Sequence, residues 1–185
     1  SFAKSKGLRS HLDGARLGNA AVAQKLSFAD ISGTFDSVSI CLSKGLGAPV
    51  GSVLVGPAPL IERAHRWRKM CGGGLRQAGM LAAAALHALD HHIERLAQDH
   101  EHARLLAKGL DDLPGVTVQA PQTNIVFFDV DPALQRRYSD GLVSELARQG
   151  LLCTGLYRLR LVTHLDVGRA DIERAISILR HTLQS

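Results

Sequence analysis

Aromatic side chains are scarce, at 4% of 185 residues with a single Trp. Trp67, between Arg66 and Arg68, is an isolated case of an aromatic among basic residues, and one ring does not make the series of stacking platforms that grips single-stranded nucleic acid. With alanine and leucine abundant, the balance points to helices on a sheet rather than an all-β sandwich. Cysteine is also sparse. Cys41, Cys71 and Cys153 are odd in number and widely spaced, which excludes a disulfide framework and a metal-ligand pair. A reducing compartment, the cytoplasm, is expected. No apolar run reaches membrane-spanning length, because Ala82 to Leu89 is cut by His87 and followed by charge. The opening residues 1–7 lack the apolar middle of a secretory signal and read as a helix tail stopped at Gly7. The formal charge is +5, but the basic residues are scattered without a block of five or six. Nucleic acid and membrane are therefore not expected as partners, and a mild preference for anionic small molecules is. There is no repeat, no Walker A loop and no dinucleotide fingerprint.

What is present is an alternation of short apolar runs and helical stretches. Strands are predicted at 8–12, 38–42 and 51–55, the last two pairing through the glycine-rich turn between them. Helices are predicted at 17–24 and 59–69. Gly72-Gly73-Gly74 makes a hinge-like break, and a long alanine-rich helical stretch follows over 75–110, with a break near Gln98-Asp99. Beyond it come strands at 116–118 and 125–130, a helix at 142–149 stopped by Gly150, a strand at 159–162 and a helix at 170–183. The pattern predicts two domains, 1–108 and 109–185, the second a small α+β module.

Lys44 carries the most information. It follows Val38-Ser39-Ile40-Cys41-Leu42 and precedes Gly45-Leu46-Gly47-Ala48-Pro49. Small residues around an amine at a strand end leave room for a Schiff base with a flat aldehyde cofactor, although a lone loop lysine is ordinarily just solvated. Asp13, in His11-Leu12-Asp13-Gly14-Ala15-Arg16, suits either a cap or Asx turn or a bond to a protonated ring nitrogen. Arg16 has the planar fork for a substrate carboxylate, or is a surface arginine. Arg76 follows the three glycines, as an anion-binding residue would, or marks a flexible hinge. Arg160 sits in an apolar run and needs an anionic partner, ligand or structural. His87 and His91 are spaced i, i+4 with His92, His100 and His102 nearby, but no cysteine or carboxylate set completes a metal site. No metal is expected. His11 and His164 stand at the ends of predicted strands, shaping a pocket or serving structure.

Five stretches together resemble the low-specificity threonine aldolase family, within the aromatic amino acid beta-eliminating lyase/threonine aldolase group. They are His-Leu-Asp-Gly-Ala-Arg-Leu at 11–17, Ser-Lys-Gly-Leu-Gly-Ala-Pro-Val-Gly-Ser at 43–52, Gly-Gly-Gly-Leu-Arg-Gln-Ala-Gly at 72–79, Thr-Asn-Ile-Val at 123–126 and Arg-Leu-Val-Thr-His-Leu-Asp-Val at 160–167. The resemblance implies the α/β architecture of fold-type-I, transferase-like enzymes that use pyridoxal 5'-phosphate, here as part of the large domain plus a small C-terminal α+β domain. It implies that Lys44 is the Schiff-base lysine, Asp13 the partner of the pyridine nitrogen, Arg16 and Arg160 the clamps on the substrate carboxylate, and Arg76 a phosphate-binding residue reaching across a dimer interface. The implied reaction is lyase chemistry: cleavage of the Cα–Cβ bond of threonine or allo-threonine to glycine and an aldehyde, in a homodimer or homotetramer.

Members of that family are longer and place much of the sheet, a phosphate loop and a ring-stacking histidine ahead of the segment at 11–17. The chain is therefore expected to be a piece of such a fold. An inactive remnant acting as an interaction module is the alternative, and a basic anion or nucleic-acid binder a third reading, motivated by charge alone.

Overall fold

Residues 2–155 and 158–184 are described by the computed structural model of this chain. The polypeptide divides into two units, Ser1–Leu96 and Ala97–Ser185.

In the first unit a short helix, α1 (Phe2–Ser5), ends at Gly7 in the left-handed conformation (φ 65°). Ser1 of the expected helix tail lies outside the described residues. The elements then run β1 (His11–Gly14), α2 (Leu17–Gln24), α3 (Phe28–Ser32), β2 (Ser37–Cys41), β3 (Ser52–Val55), α4 (Ala58–Met70) and α5 (Gly79–His91). The sheet has the order β1-β2-β3, with β1 parallel and β3 antiparallel to β2.

The first strand starts three residues later than the composition suggested. Its register is fixed by polar bonds to the strand beside it. The Asp36 carboxylate accepts from the Ser10 amide at 2.7 Å, and His11 Nδ1 lies 2.8 Å from Ser37 Oγ. Asp13 is consequently a strand residue, paired with Ser39. The glycine-rich turn does connect an antiparallel pair, as expected.

The helix α3 has no counterpart in the sequence reading, yet its start is written there. Ser27 and Asp30 form a reciprocal capping box: Ser27 Oγ accepts from the Asp30 amide, and Asp30 Oδ2 accepts from the Ser27 amide. The predicted 75–110 helix begins only at Gly79 and breaks at residues 92–95, not near 98–99. There His92 caps α5 through its amide to the Ala88 carbonyl. The break lets Leu96 bury completely among Leu42, Leu46, Ala48 and Ala88. Leu86 of α5 is 61% exposed.

Helix α6 (Leu96–Lys108) leads into the second unit, followed by β4 (Val116–Gln119), β5 (Ile125–Val130), α7 (Pro132–Gln135), α8 (Leu142–Arg148), β6 (Leu159–Val162) and α9 (Arg169–Gln184). Strands β4-β5-β6 form an antiparallel sheet. Alternation puts Val126, Phe128 and Val130 with Leu159 and Leu161 on one face, which is buried with Leu106, Leu110, Leu146, Ile172 and Leu179. Each such side chain contributes roughly 1.5–3 kcal/mol by leaving water.

A polar network closes this core at one end. Thr163 Oγ1 donates to the Asp99 carbonyl at 2.7 Å, and Asn124 Nδ2 donates to the Thr163 carbonyl at 2.8 Å. Among the described residues no helix is long and apolar enough to cross a membrane.

Two predictions follow from these contacts. Burial, reinforced by the positive Arg104 and partly opposed by Asp99, holds the pKa of His100 below the ordinary imidazole value. Between that lowered value and the unfolded value of about 6.5 the unfolded chain binds more protons, so stability falls as pH falls. Denaturant midpoints measured from pH 7 to 5 should decline, and a His100→Asn variant should flatten the slope. Separately, a Cβ on Gly14 would stand 2.4 Å from the Ser39 carbonyl oxygen. Gly14→Ala should cost on the order of 1–3 kcal/mol in urea unfolding.

Candidate active site

Pleating sorts the first sheet into two faces. His11 and Asp13 of β1 share one face with Ser37, Ser39 and Cys41 of β2, since each pair is in register. The other face carries Leu12, Val38 and Ile40. The alternation Ser37-Val38-Ser39-Ile40-Cys41 thus builds a polar floor, a signal present in the sequence but masked there by the apolar character of the run. At the carboxyl end of β2 the chain turns, and Lys44 stands exposed three residues past Cys41. Asp13 lies one residue from the carboxyl end of the parallel neighbour β1. Open parallel sheets bind ligands at this end.

The turn bearing Lys44 is compact. The Gly47 amide donates to the Lys44 carbonyl at 2.9 Å, and the Ala48 amide to the Leu42 carbonyl at 3.0 Å. Gly47 takes a positive φ of 76°. Gly45 is buried, and a Cβ there would meet Asn19 Nδ2 at 2.9 Å. The turn therefore presents its lysine outward while Gly45, Leu46 and Ala48 pack inward.

Asp13 Oδ1 accepts from the Ala15 amide at 3.2 Å, an Asx-type contact that leaves carboxylate capacity free. Arg16 is half-buried at the N-cap of α2. Arg76 lies between the glycine run and α5, fully on the surface, in a basin it shares with His65, Arg68, Lys69 and Gly74. Lys69 and Arg68, in the last turn of α4, were not singled out by sequence reasoning. Their signal was proximity to the glycines.

Arg160 lies in the second unit, on β6 opposite Phe127 of β5. Its Nε is buried and has no hydrogen-bond partner among the described residues. The neighbouring Arg158 is committed: it donates to both carboxylate oxygens of Asp129 and to Gln119 Oε1 at 2.9 Å. A buried donor left without an acceptor is costly, so Arg160 suits an anionic ligand. Leu161 to His164 of the same motif line a separate cavity of about 380 Å³ with Ile172 and Ala175, and Arg160 is not among its walls.

Cys41 lies on the polar face of β2. Burial raises its pKa, but hydrogen bonds from Ser43 and Ser52 and the positive Lys44 outweigh this and leave it below the usual thiol value. Lys44 is thus near enough to bias the floor of the site electrostatically. Among the described residues no group of three or more histidine, cysteine or acidic side chains is placed to hold a metal.

Residues 1–133 match the family model for beta-eliminating lyases. The chain belongs to the beta-eliminating lyase family. It is 41% identical over 186 residues to low-specificity L-threonine aldolase 1 of Arabidopsis thaliana, covering 98% of this chain and 52% of that protein. It is 43% identical over 171 residues to the low specificity L-threonine aldolase of Escherichia coli K12, covering 92% and 50%. In solved structures it superimposes with a TM-score of 0.76 on a putative aromatic amino acid beta-eliminating lyase/threonine aldolase from Exiguobacterium, at 25% identity over 98% of this chain and 54% of that one. The architecture is the α/β fold of fold-type-I pyridoxal-phosphate enzymes, matched over part of its length. The chain spans about half the length of the curated relatives it matches.

The thiol environments give an ordered expectation. Burial pushes Cys153 above the usual thiol value, opposite to Cys41. The thiolate is the reactive form. Alkylation by iodoacetamide near neutral pH, followed by mass spectrometry, should label Cys41 well before Cys153.

Proposed function

We propose that this chain carries the covalent and ring-nitrogen part of a pyridoxal 5'-phosphate site, in a lyase that splits the Cα–Cβ bond of threonine-type β-hydroxy amino acids into glycine and an aldehyde. The observation that carries the reading is the placement of Asp13 one residue from the carboxyl end of β1 and of Lys44 in the turn just past the carboxyl end of its parallel neighbour β2. The printed names of the relatives support the substrate class. The Nε of Arg160, buried and without a hydrogen-bond partner among the described residues, fits a ligand that brings its own carboxylate.

The cofactor, when bound, supplies an electron sink for the pair released as the Cα–Cβ bond breaks. Lys44 provides the amine that holds its aldehyde covalently, and the small residues after it leave that amine accessible. Asp13 would hold the ring nitrogen, and its negative charge would keep that nitrogen cationic. Arg16 in the first unit and Arg160 in the second each offer a guanidinium suited to a substrate carboxylate. Arg76, with Lys69 and Arg68 beside it, offers positive charge to a phosphate, from another copy of the chain in a homo-oligomer. These groups act on charge that develops during bond cleavage, which is the kind of interaction that raises rate. The reaction belongs in the cytoplasm, where the three unpaired thiols stay reduced.

The alternative is a family-shaped chain without activity. One experiment separates the two. The full chain is mixed with pyridoxal 5'-phosphate and reduced with borohydride, and peptides are mapped; glycine release from threonine is assayed in parallel. The label should sit on Lys44. Lys44→Ala should lose both the label and, by a factor on the order of 10³ or more, the activity. Asp13→Asn should keep the label and lose about 10²-fold or more in rate. A label elsewhere, or none, ends this reading.

A further inference from the structure

We propose that His92 is a positioning residue, whose Nδ1–H donates to the Leu46 carbonyl and fixes the turn that presents Lys44. The inference rests on the reading of Lys44 as the cofactor-bearing amine and extends it to a residue outside the five motifs.

The turn needs such a hold. Two of its residues, Gly45 and Gly47, are glycines, so its unfolded alternatives are many. From within, amide bonds tie down the carbonyls of Leu42 and Lys44. The Leu46 side chain is 3% exposed and packs with Leu42, Ala48, Ala88 and Leu96. Its carbonyl instead meets His92 Nδ1 at 2.6 Å. A carbonyl oxygen only accepts, so that nitrogen carries the proton. The bond ties the turn to a residue 46 positions away in sequence, at the end of α5.

His92 is itself held. Its amide donates to the Ala88 carbonyl as the helix cap. Its ring meets His87 edge-on, with centroids 5.2 Å apart, and His87 lies 4.4 Å from His91. A ring packed this way has few rotamers left. The path is short: helix end, imidazole, Leu46 carbonyl, and Lys44 two residues earlier. A rigid support of this sort preorganises a reactive amine. It also gives the His87-His91-His92 run, which fits no metal site, a physical role.

The test uses the full chain and the variants His92→Ala, His92→Asn and His92→Gln. The asparagine amide nitrogen overlays imidazole Nδ1, whereas the glutamine nitrogen overlays Nε2. Amide hydrogen exchange over residues 45–48 should rise about five- to tenfold in the Ala and Gln variants, the scale of one lost hydrogen bond. Exchange in β4 to β6 should stay unchanged, and His92→Asn should restore the parental rate. With cofactor bound, glycine release should follow the same order in kcat with KM unmoved. Equal behaviour of Asn and Gln, or a uniform rise across the whole chain, would overturn the proposal. If His92→Ala does not fold, the Asn and Gln pair decides. Exchange needs no cofactor, so failure of borohydride labelling at Lys44 counts against the proposed lyase, and an unmoved turn in His92→Gln counts against this brace.

Discussion

The parallel pairing of β1 with β2 is the constraint on which the candidate site depends. Gly14 approaches the Ser39 carbonyl so closely that no side chain fits there. That contact brings the carboxyl ends of the two strands side by side. It sets Asp13 next to Ser39 on the polar face, with Lys44 in the turn beyond. Side-chain bonds at the other end of the pair, from Ser10 to Asp36 and between His11 and Ser37, lock the same register. A slip of one residue would send Asp13 to the apolar face.

The second unit uses a different device. Its apolar sheet face is buried against α6, α8 and α9. Arg160 therefore lies on the opposite face, where Arg158 is already neutralised by Asp129. The buried bonds among Asp99, Asn124 and Thr163 hold the carboxyl end of β6, the strand that carries Arg160. The two stretches Thr-Asn-Ile-Val and Arg-Leu-Val-Thr-His thus meet in space: Asn124 and Thr163 are partners in one network. Their joint presence in the resemblance has a structural reason, apart from any contact with a ligand.

Much of the architecture was readable without coordinates. The glycine-rich hairpin from β2 to β3, the strands of the second sheet and the closing helix all follow from periodicity and turn chemistry. The polar stripe of β2 was equally present in the alternation of serine with valine and isoleucine. What periodicity got wrong were limits. The 75–110 stretch has continuous helical composition, and nothing local marks the break at 92–95. The start of β1 was misplaced because Ser10 and His11 owe their positions to partners 26 residues away.

The sequence by itself determined which residue types are available and in what order: a lysine among small residues, an acid after a short strand, arginines set in glycine-rich or apolar runs. These are local facts, fixed by sterics and solvation of neighbouring residues. Only the tertiary structure decided that β1 runs parallel to β2, that Leu46 is gripped by His92, and that the Nε of Arg160 is buried without an acceptor among the described residues. Each of these depends on contacts between residues far apart in the chain. No local preference encodes such contacts, because they form only when the apolar faces find one another.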